Sequence, residues 1–368
     1  NISCLSPWLR HRLVCEAEVL AATLAQHTLS FSDKFIQEVF WRAYFKGWLE
    51  QRPAVWLSYR QELQRAFDLL NTDTSLVDRY AEAIEARTGI DCFDAWVREL
   101  TATGYLHNHS RMWFASIWIF TLQLPWHLGA DFFYRHLLDG DPASNTLSWR
   151  WVGGLHTKGK TYLARPSNIA RFTGGRFNPG GQLAAVAPAL YEDDIGVAIP
   201  LRSVVSLPRE QSYALLITEE DCHPESLELP HPPTAVIALT ATDQRSPLGT
   251  GDLAKAFAQG AVEDATQRAE VHFGISRAVT GPAEAGNWSE RLSAFAAQAI
   301  VKVFATAYAP IGPVAEQLAA ARSHLSDQGI QLVELRRGYD EAAWPHATRG
   351  FFKLKDKIPK LIQRLNLK

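Results

Sequence analysis

The stretch Arg98-Glu99-Leu100-Thr101-Ala102-Thr103-Gly104-Tyr105-Leu106-His107-Asn108-His109-Ser110-Arg111-Met112 contains a helix end, a turn and a helix start in fifteen residues. Upstream, Cys92 to Leu100 has helical apolar spacing, with Asp91 and Thr88 as candidate caps, and Gly104 interrupts it. Downstream, Asn108, Arg111 and Met112 stand at i, i+3 and i+4, so they share one helix face. Amide, guanidinium and thioether on one face can read the edges of a heterocycle. A polar helix start with one packed Met explains the same residues. His107 and His109 lack a carboxylate or Cys partner at ligand spacing, so no metal is read from them.

Working outward, residues 1–150 are helical in pattern and rich in Trp: ten of the 12 tryptophans precede residue 152. Glu38, Trp41 and Arg42 again occupy i, i+3 and i+4 within Phe35–Tyr44. That set suits a flat polar ligand, or a salt-bridged helix with a packed Trp. Leu138-Asp139-Gly140-Asp141-Pro142-Ala143-Ser144-Asn145, followed by Trp149-Arg150-Trp151, lacks the further ligands of a calcium loop and reads as a turn capping a helix. The apolar run from Met112 to Trp126 is short for a membrane span and reads as a buried core helix.

At 368 residues the chain exceeds a comfortable single core, which predicts two domains. A net charge of −2 advertises no global basic field, so any nucleic-acid contact would use a local patch. Cys4, Cys15, Cys92 and Cys222 show no CxxC spacing, so no zinc or iron–sulfur site is expected, and scattered thiols fit a reducing cytoplasm. Composition changes after Trp151. Asn178-Pro179-Gly180-Gly181 and Leu229-Pro230-His231-Pro232-Pro233 mark loops and a linker. Beyond it, Ala235–Leu239, Ala299–Phe304 and Ile330–Leu335 read as strands, alternating with helices at Asp252–Arg268 and Val314–Leu325. This predicts a parallel sheet. A further strand at Tyr213–Thr218 has no clear place in it. The Gly-rich turn Leu248-Gly249-Thr250-Gly251-Asp252 could cradle a phosphate, or be purely structural.

Taken in order, these blocks resemble the FAD-binding domain of the photolyase/cryptochrome family. Asn1-Ile2-Ser3-Cys4-Leu5-Ser6-Pro7-Trp8-Leu9 is similar to its TSxLSPyL segment, and Phe35–Tyr44 to WxxELxWRxfy. Thr88–Ala95 is similar to TGxPxVDA, Arg98–Met112 to RELxxTGxxHNRxRM, and Leu138–Trp151 to LxDGDxAxNxxxWQW. The resemblance implies an α-helical FAD-binding domain of photolyase/cryptochrome type (1–180), an extended linker (181–233) and an α/β Rossmann-like domain (234–368). The last would be a rearranged antenna domain, placed after the FAD domain as in a circular permutation.

It further implies FAD as cofactor, with Ser3, Leu5 and Ser6 on the diphosphate and Arg111 paired to Asp139 beside the isoalloxazine. Asp141, with Gly140, would face the flavin's polar edge, Asn145 would lie near N5, and Phe35 and Arg42 would complete the cofactor set. Glu38, Trp41, Asn108, Met112 and Trp151 would line a lesion pocket, with Trp149 and Trp126 relaying electrons to the flavin. Arg165 would contact phosphate. The implied partner is damaged DNA and the implied activity is light-driven splitting of cyclobutane pyrimidine dimers. A cryptochrome-like photoreceptor without repair activity is the alternative, because His109 and Cys4 replace two arginines of the pattern and the net charge is near neutral. No Trp stands near Asp73, where the distal relay member would fall, so Trp56, Trp113 or Trp118 would substitute or photoreduction would follow another route. No motif specifies a second antenna chromophore or an oligomeric state.

Overall fold

The computed structural model describes residues 3–275, 278–280 and 288–367. They form two compact units. The first, the α/β unit, comprises Asn1–Pro53, Val197–Arg245 and Lys255–Lys368; the second, the helical unit, comprises Ala54–Gly196 and Ser246–Ala254.

Among the described residues, the α/β unit is built on five parallel strands: β1 (Ala214–Thr218), β2 (Ala235–Leu239), β3 (Ala278–Thr280), β4 (Val303–Ala307) and β5 (Gln331–Leu335). Their order in the sheet is β3-β2-β1-β4-β5. β1, β2 and β4 are buried at every residue, as expected when helices cover both faces. Alternate residues divide between two cores. Leu216, Ile237 and Phe304 pack with Leu292 and Leu318 on one side, while Leu215, Ile217 and Val236 pack with Val262 and Ala265 on the other. The segment that had no clear place, Tyr213–Thr218, supplies the central strand. The second strand falls at Val303–Ala307, later than expected, because Ala299 still ends the Trp288–Ala299 helix.

Residues 3–53, expected to belong with the helical domain, pack instead within the α/β unit. The helix Leu29–Glu50 is apolar over most of its circumference. Ile36, Phe40 and Tyr44 share a core with Trp344, Phe351 and Leu361 from the C-terminal helices. Gly47 permits the closest approach: a Cβ there would lie 2.8 Å from Trp344 Cα.

The helical unit contains the helices Pro53–Leu70, Thr74–Ile84, Asp91–Thr103, Asn108–Ser116, Trp126–His136, Pro142–Val152 and Pro166–Phe172. The apolar run from Met112 to Trp126 is not one helix. After Ser116 it passes through a π-helical turn at Ile117–Thr121, and the chain restarts as a helix only at Trp126. Gln123 takes a positive φ of 53° and Pro125 lacks a backbone donor, which together forbid a continuous ladder. Ile90, not Asp91 or Thr88, is the N-cap of Asp91–Thr103. Thr88 instead closes the preceding loop, donating from N and Oγ1 to Asp94 Oδ1 at 3.1 and 2.7 Å. The Leu248–Asp252 turn is tied down by Gly251 N donating to Arg135 O at 3.0 Å.

Candidate functional site

Gly104, at φ +67°, ends one helix, and His107 caps the next through its ring. This turn aims Arg111 at the loop preceding Pro142–Val152. Arg111 Nη1 lies 2.9 Å from Asp139 Oδ2, Arg111 Nε donates to Leu106 O at 2.8 Å, and the guanidinium lies 5.5 Å from the Tyr105 ring centroid. The Asp139 side chain is 4% exposed and that of Arg111 23%, so the pair is shielded on the carboxylate side and reachable on the other. Such an arrangement holds a planar donor array in a fixed orientation, chemistry that would suit the polar edge of a ring.

Asp141 is buried and serves as N-cap of Pro142–Val152, accepting from Ser144 N at 2.7 Å. Asn145, one turn on, donates from Nδ2 to Ala130 O at 2.8 Å, which fixes its amide orientation. Gly140 N donates to Leu137 O at 3.0 Å and shapes the same turn. Asn108 is exposed and Met112 half-buried on the helix that carries Arg111.

Trp149 lies in the core, in edge contact with Trp118 at 6.2 Å and Phe133 at 5.2 Å, and Trp126 contacts Tyr59 and His127. Among the described residues, Trp118 is the tryptophan in ring contact with Trp149. A Cβ at Gly129 would lie 2.8 Å from Trp118 Cε2 and 2.7 Å from Trp149 Cζ3, with Trp149 Cη2 nearer still, so glycine is what lets these rings meet. Trp151 packs on Tyr162 at 5.5 Å. Tyr162, Arg165 and Asn168 line a cavity of about 500 Å³, and Asn168 Oδ1 accepts from Trp113 Nε1 at 3.0 Å. Tyr162 and Asn168 were not singled out in sequence; their only signal is the aromatic and amide flanking Arg165.

Ser3, Leu5, Ser6, Phe35, Glu38, Trp41 and Arg42 belong to the α/β unit, while Asn108, Arg111, Asp139 and Asn145 belong to the helical unit. Asn1 and Ile2, at the head of the first block, lie outside the described residues. Leu5 N sits 3.5 Å from Ser3 Oγ, and Arg42 Nη2 donates to Ser6 O at 3.4 Å. Arg42 Nη1 is buried with no hydrogen-bond partner among the described residues. An unmet guanidinium donor beside a serine-bearing turn fits an anionic phosphate group. Glu38 is exposed at its tip, and the burial it does have pushes its carboxyl pKa upward. Trp41 has one face covered by Phe351, stacked at 3.8 Å and 11°.

The family described as the FAD binding domain of DNA photolyase matches residues 35–184. A deoxyribodipyrimidine photo-lyase of Streptomyces griseus is 32% identical over 180 residues, covering 48% of this chain and 37% of that protein. One from Synechococcus sp. is 32% identical over 154 residues, covering 40% and 31%. Cryptochrome-1 of Arabidopsis thaliana is 38% identical over 98 residues, covering 27% and 14%. The chain thus spans about a third of the length of the photo-lyases it matches. Ser3, Leu5 and Ser6 precede the matched stretch, whereas Arg111, Asp139 and Asn145 fall inside it. Residues 35–184 thus carry an FAD-binding domain of the DNA photolyase kind, and over that stretch the chain is similar to photolyases and cryptochromes.

Proposed function

We propose that the protein repairs DNA by splitting cyclobutane pyrimidine dimers under blue light. The observation that carries this reading is the Arg111–Asp139 pair, 2.9 Å apart on adjoining helix ends inside the stretch matching the photolyase FAD domain. The chemistry supplied by bound FAD is light-driven electron donation to the dimer, followed by ring cleavage and return of the electron. Arg111 and Asp139 orient the ring system, and the Asn145 amide, locked by Ala130 O, holds a fixed dipole towards it. Asp141 keeps the turn rigid as a cap. In the α/β unit, taken by itself, Arg42 and Ser6 offer cationic and hydroxyl donors that suit a phosphate. Glu38, whose carboxyl partial burial shifts upward, would take up the proton and hydrogen-bond to a pyrimidine carbonyl as charge builds there. Trp151 and Tyr162 offer aromatic faces to unstacked bases, and Arg165 a phosphate contact at the cavity mouth.

One observation favours a second reading, a blue-light receptor without repair activity. His109, which replaces the pattern's arginine, turns into an aromatic cluster with Trp113 at 5.6 Å and Phe172 at 4.9 Å, so that site offers no permanent cation to DNA. The deciding experiment illuminates the reduced flavoprotein with a thymine-dimer oligonucleotide. Loss of dimers that disappears in Glu38→Ala supports repair. Bound FAD with undiminished dimers leaves the receptor reading standing and ends the repair one.

A further inference from the structure

Cys15 is the N-cap of the helix Glu16–Gln26, Glu18 is that helix's third residue, and His223 follows β1 in the α/β unit. The fold brings them together: one ligand atom from each lies within 4.8 Å of the other two. Glu18 Oε2 accepts from Cys15 N at 2.8 Å and lies 3.3 Å from His223 Nε2. The other ring nitrogen is already engaged. His223 Nδ1 lies 2.8 Å from Ser226 Oγ and 3.6 Å from Glu225 Oε2, so a proton on Nδ1 points at oxygen acceptors and leaves the Nε2 lone pair facing Glu18.

Every other charge around the trio has an opposite partner. Arg337, whose Nη1 donates to Ser226 Oγ at 2.8 Å, is held bidentate by Asp221 at 2.6 and 2.7 Å, and Glu225 is paired with Arg268. In the tautomer with its proton on Nδ1, His223 turns the Nε2 lone pair to the Glu18 carboxylate beside the buried Cys15 sulfur. A dication suits this set, since one thiolate and one carboxylate neutralise it.

We propose that Cys15, Glu18 and His223 form a zinc site that ties the start of the Glu16–Gln26 helix to the turn after β1. Zinc bonds of about 2.0–2.3 Å to S, N and O set tetrahedral ligand edges of about 3.3–3.8 Å. The Glu18–His223 edge already has that length. The Cys15 edges close to it by small rotations of all three side chains, with Glu18, which is 52% exposed, trading its hydrogen bond from Cys15 N for the metal. The same exposure leaves the fourth position to water. A sulfur ligand excludes magnesium and calcium in favour of zinc or cobalt. Burial pushes the Cys15 thiol up to about 12, so the metal must release that proton to solvent as the sulfur–zinc bond forms.

The site is independent of the flavin, and its test does not use activity. Cobalt(II) is titrated into the metal-free, full-length protein and followed by difference absorption. The expected result is a thiolate-to-cobalt charge-transfer band at one equivalent per chain, with Kd below about 10 μM, erased by zinc. Cys15→Ser abolishes the band, and Glu18→Gln and His223→Gln each weaken binding at least about tenfold. Should Cys15→Ser fail to fold, the exposed Glu18→Gln variant carries the test. Absence of the band, binding weaker than the stated limit, or a band that survives Cys15→Ser or is unaffected by Glu18→Gln overturns the assignment. Those outcomes leave an imidazolium–carboxylate pair as the account of the contact.

Discussion

Replacing Asp139 by Asn separates what the Arg111–Asp139 pair does for the fold from what it does for the flavin. Removing one member of a buried ion pair costs about 3–5 kcal/mol, because the survivor is left charged and desolvated. Here the survivor is Arg111, which is 23% exposed and keeps its bond to Leu106 O and its position near the Tyr105 ring. The carboxamide also preserves one acceptor. Both features reduce the cost, and about 2 kcal/mol is expected for Asp139→Asn. For a unit of this size that corresponds to a fall in melting temperature of about 4–8 °C. The assay pairs urea unfolding of the apoprotein with measurement of FAD affinity. The double variant Arg111→Met/Asp139→Leu carries the discrimination, since well-packed apolar replacements of a buried pair are often neutral or stabilising. It should recover most of the lost stability and none of the lost FAD affinity. If Asp139→Asn changes stability by less than about 0.5 kcal/mol and FAD binding is intact, the pair is incidental and the reasoning fails.

Gly129→Ala drives a methyl group into the Trp118 and Trp149 rings and should destabilise the helical unit by at least about 1–3 kcal/mol, read by chemical denaturation; a change within error would mean the rings can shift freely. His127, pushed down to about 3 chiefly by burial, is neutral in the fold while the unfolded chain takes up a proton near its ordinary value of 6.5. Its contribution is therefore complete above pH 6.5 and lost as pH falls towards 3, so between pH 7 and 5 wild type should lose about 1–2 kcal/mol more than His127→Gln in urea titrations. Glu50 accepts from Ile311 N at 2.7 Å and from the Tyr308 hydroxyl, and burial raises its pKa. Glu50→Ala should cost about 2–3 kcal/mol in thermal unfolding and Glu50→Gln under about 1, because the amide retains the acceptor; equal losses would contradict this account.

What the sequence disclosed follows from the range of each interaction. The break at Gly104 and the restart at Asn108 are local, set by one positive-φ residue and one cap, so Arg98–Met112 could be read directly. Asp141 as a cap is equally local. The place of Tyr213–Thr218 was not legible, because a strand buried on both faces is an apolar run without periodicity, and only its partners make it central. The affiliation of residues 3–53 was hidden for a related reason. A helix apolar over most of its circumference specifies burial but not against what, and its partners Trp344 and Phe351 come from the far end of the chain. The neighbour of Trp149 depended on a glycine, Gly129, whose significance is purely steric. The convergence of Cys15, Glu18 and His223 has no spacing to betray it.

These long-range contacts bear on the α/β unit's own chemistry. In an open parallel sheet, ligands bind at the carboxyl ends of the strands where the order reverses, which here is between β1 and β4. The residues that follow those strands are engaged by the chain itself. Glu220, after β1, holds Arg10 at 2.5 Å, and Asp221 holds Arg12, which also reaches Asp340 at 2.7 Å. Ile311, after β4, gives its N–H to Glu50, so a carboxylate occupies the position where a nucleotide phosphate would be received. His11 locks the arrangement, with Nδ1 2.7 Å from Glu219 O and its carbonyl accepting from Cys222 N. A second chromophore entering this crevice would have to break several buried ion pairs, each costing about 3–5 kcal/mol once one partner is left alone. The crevice that elsewhere serves a ligand therefore serves here to anchor the segment just after Ser3–Ser6. The Rossmann-like strand order of this unit thus bears on how the segment from Arg10 to Arg12 is held.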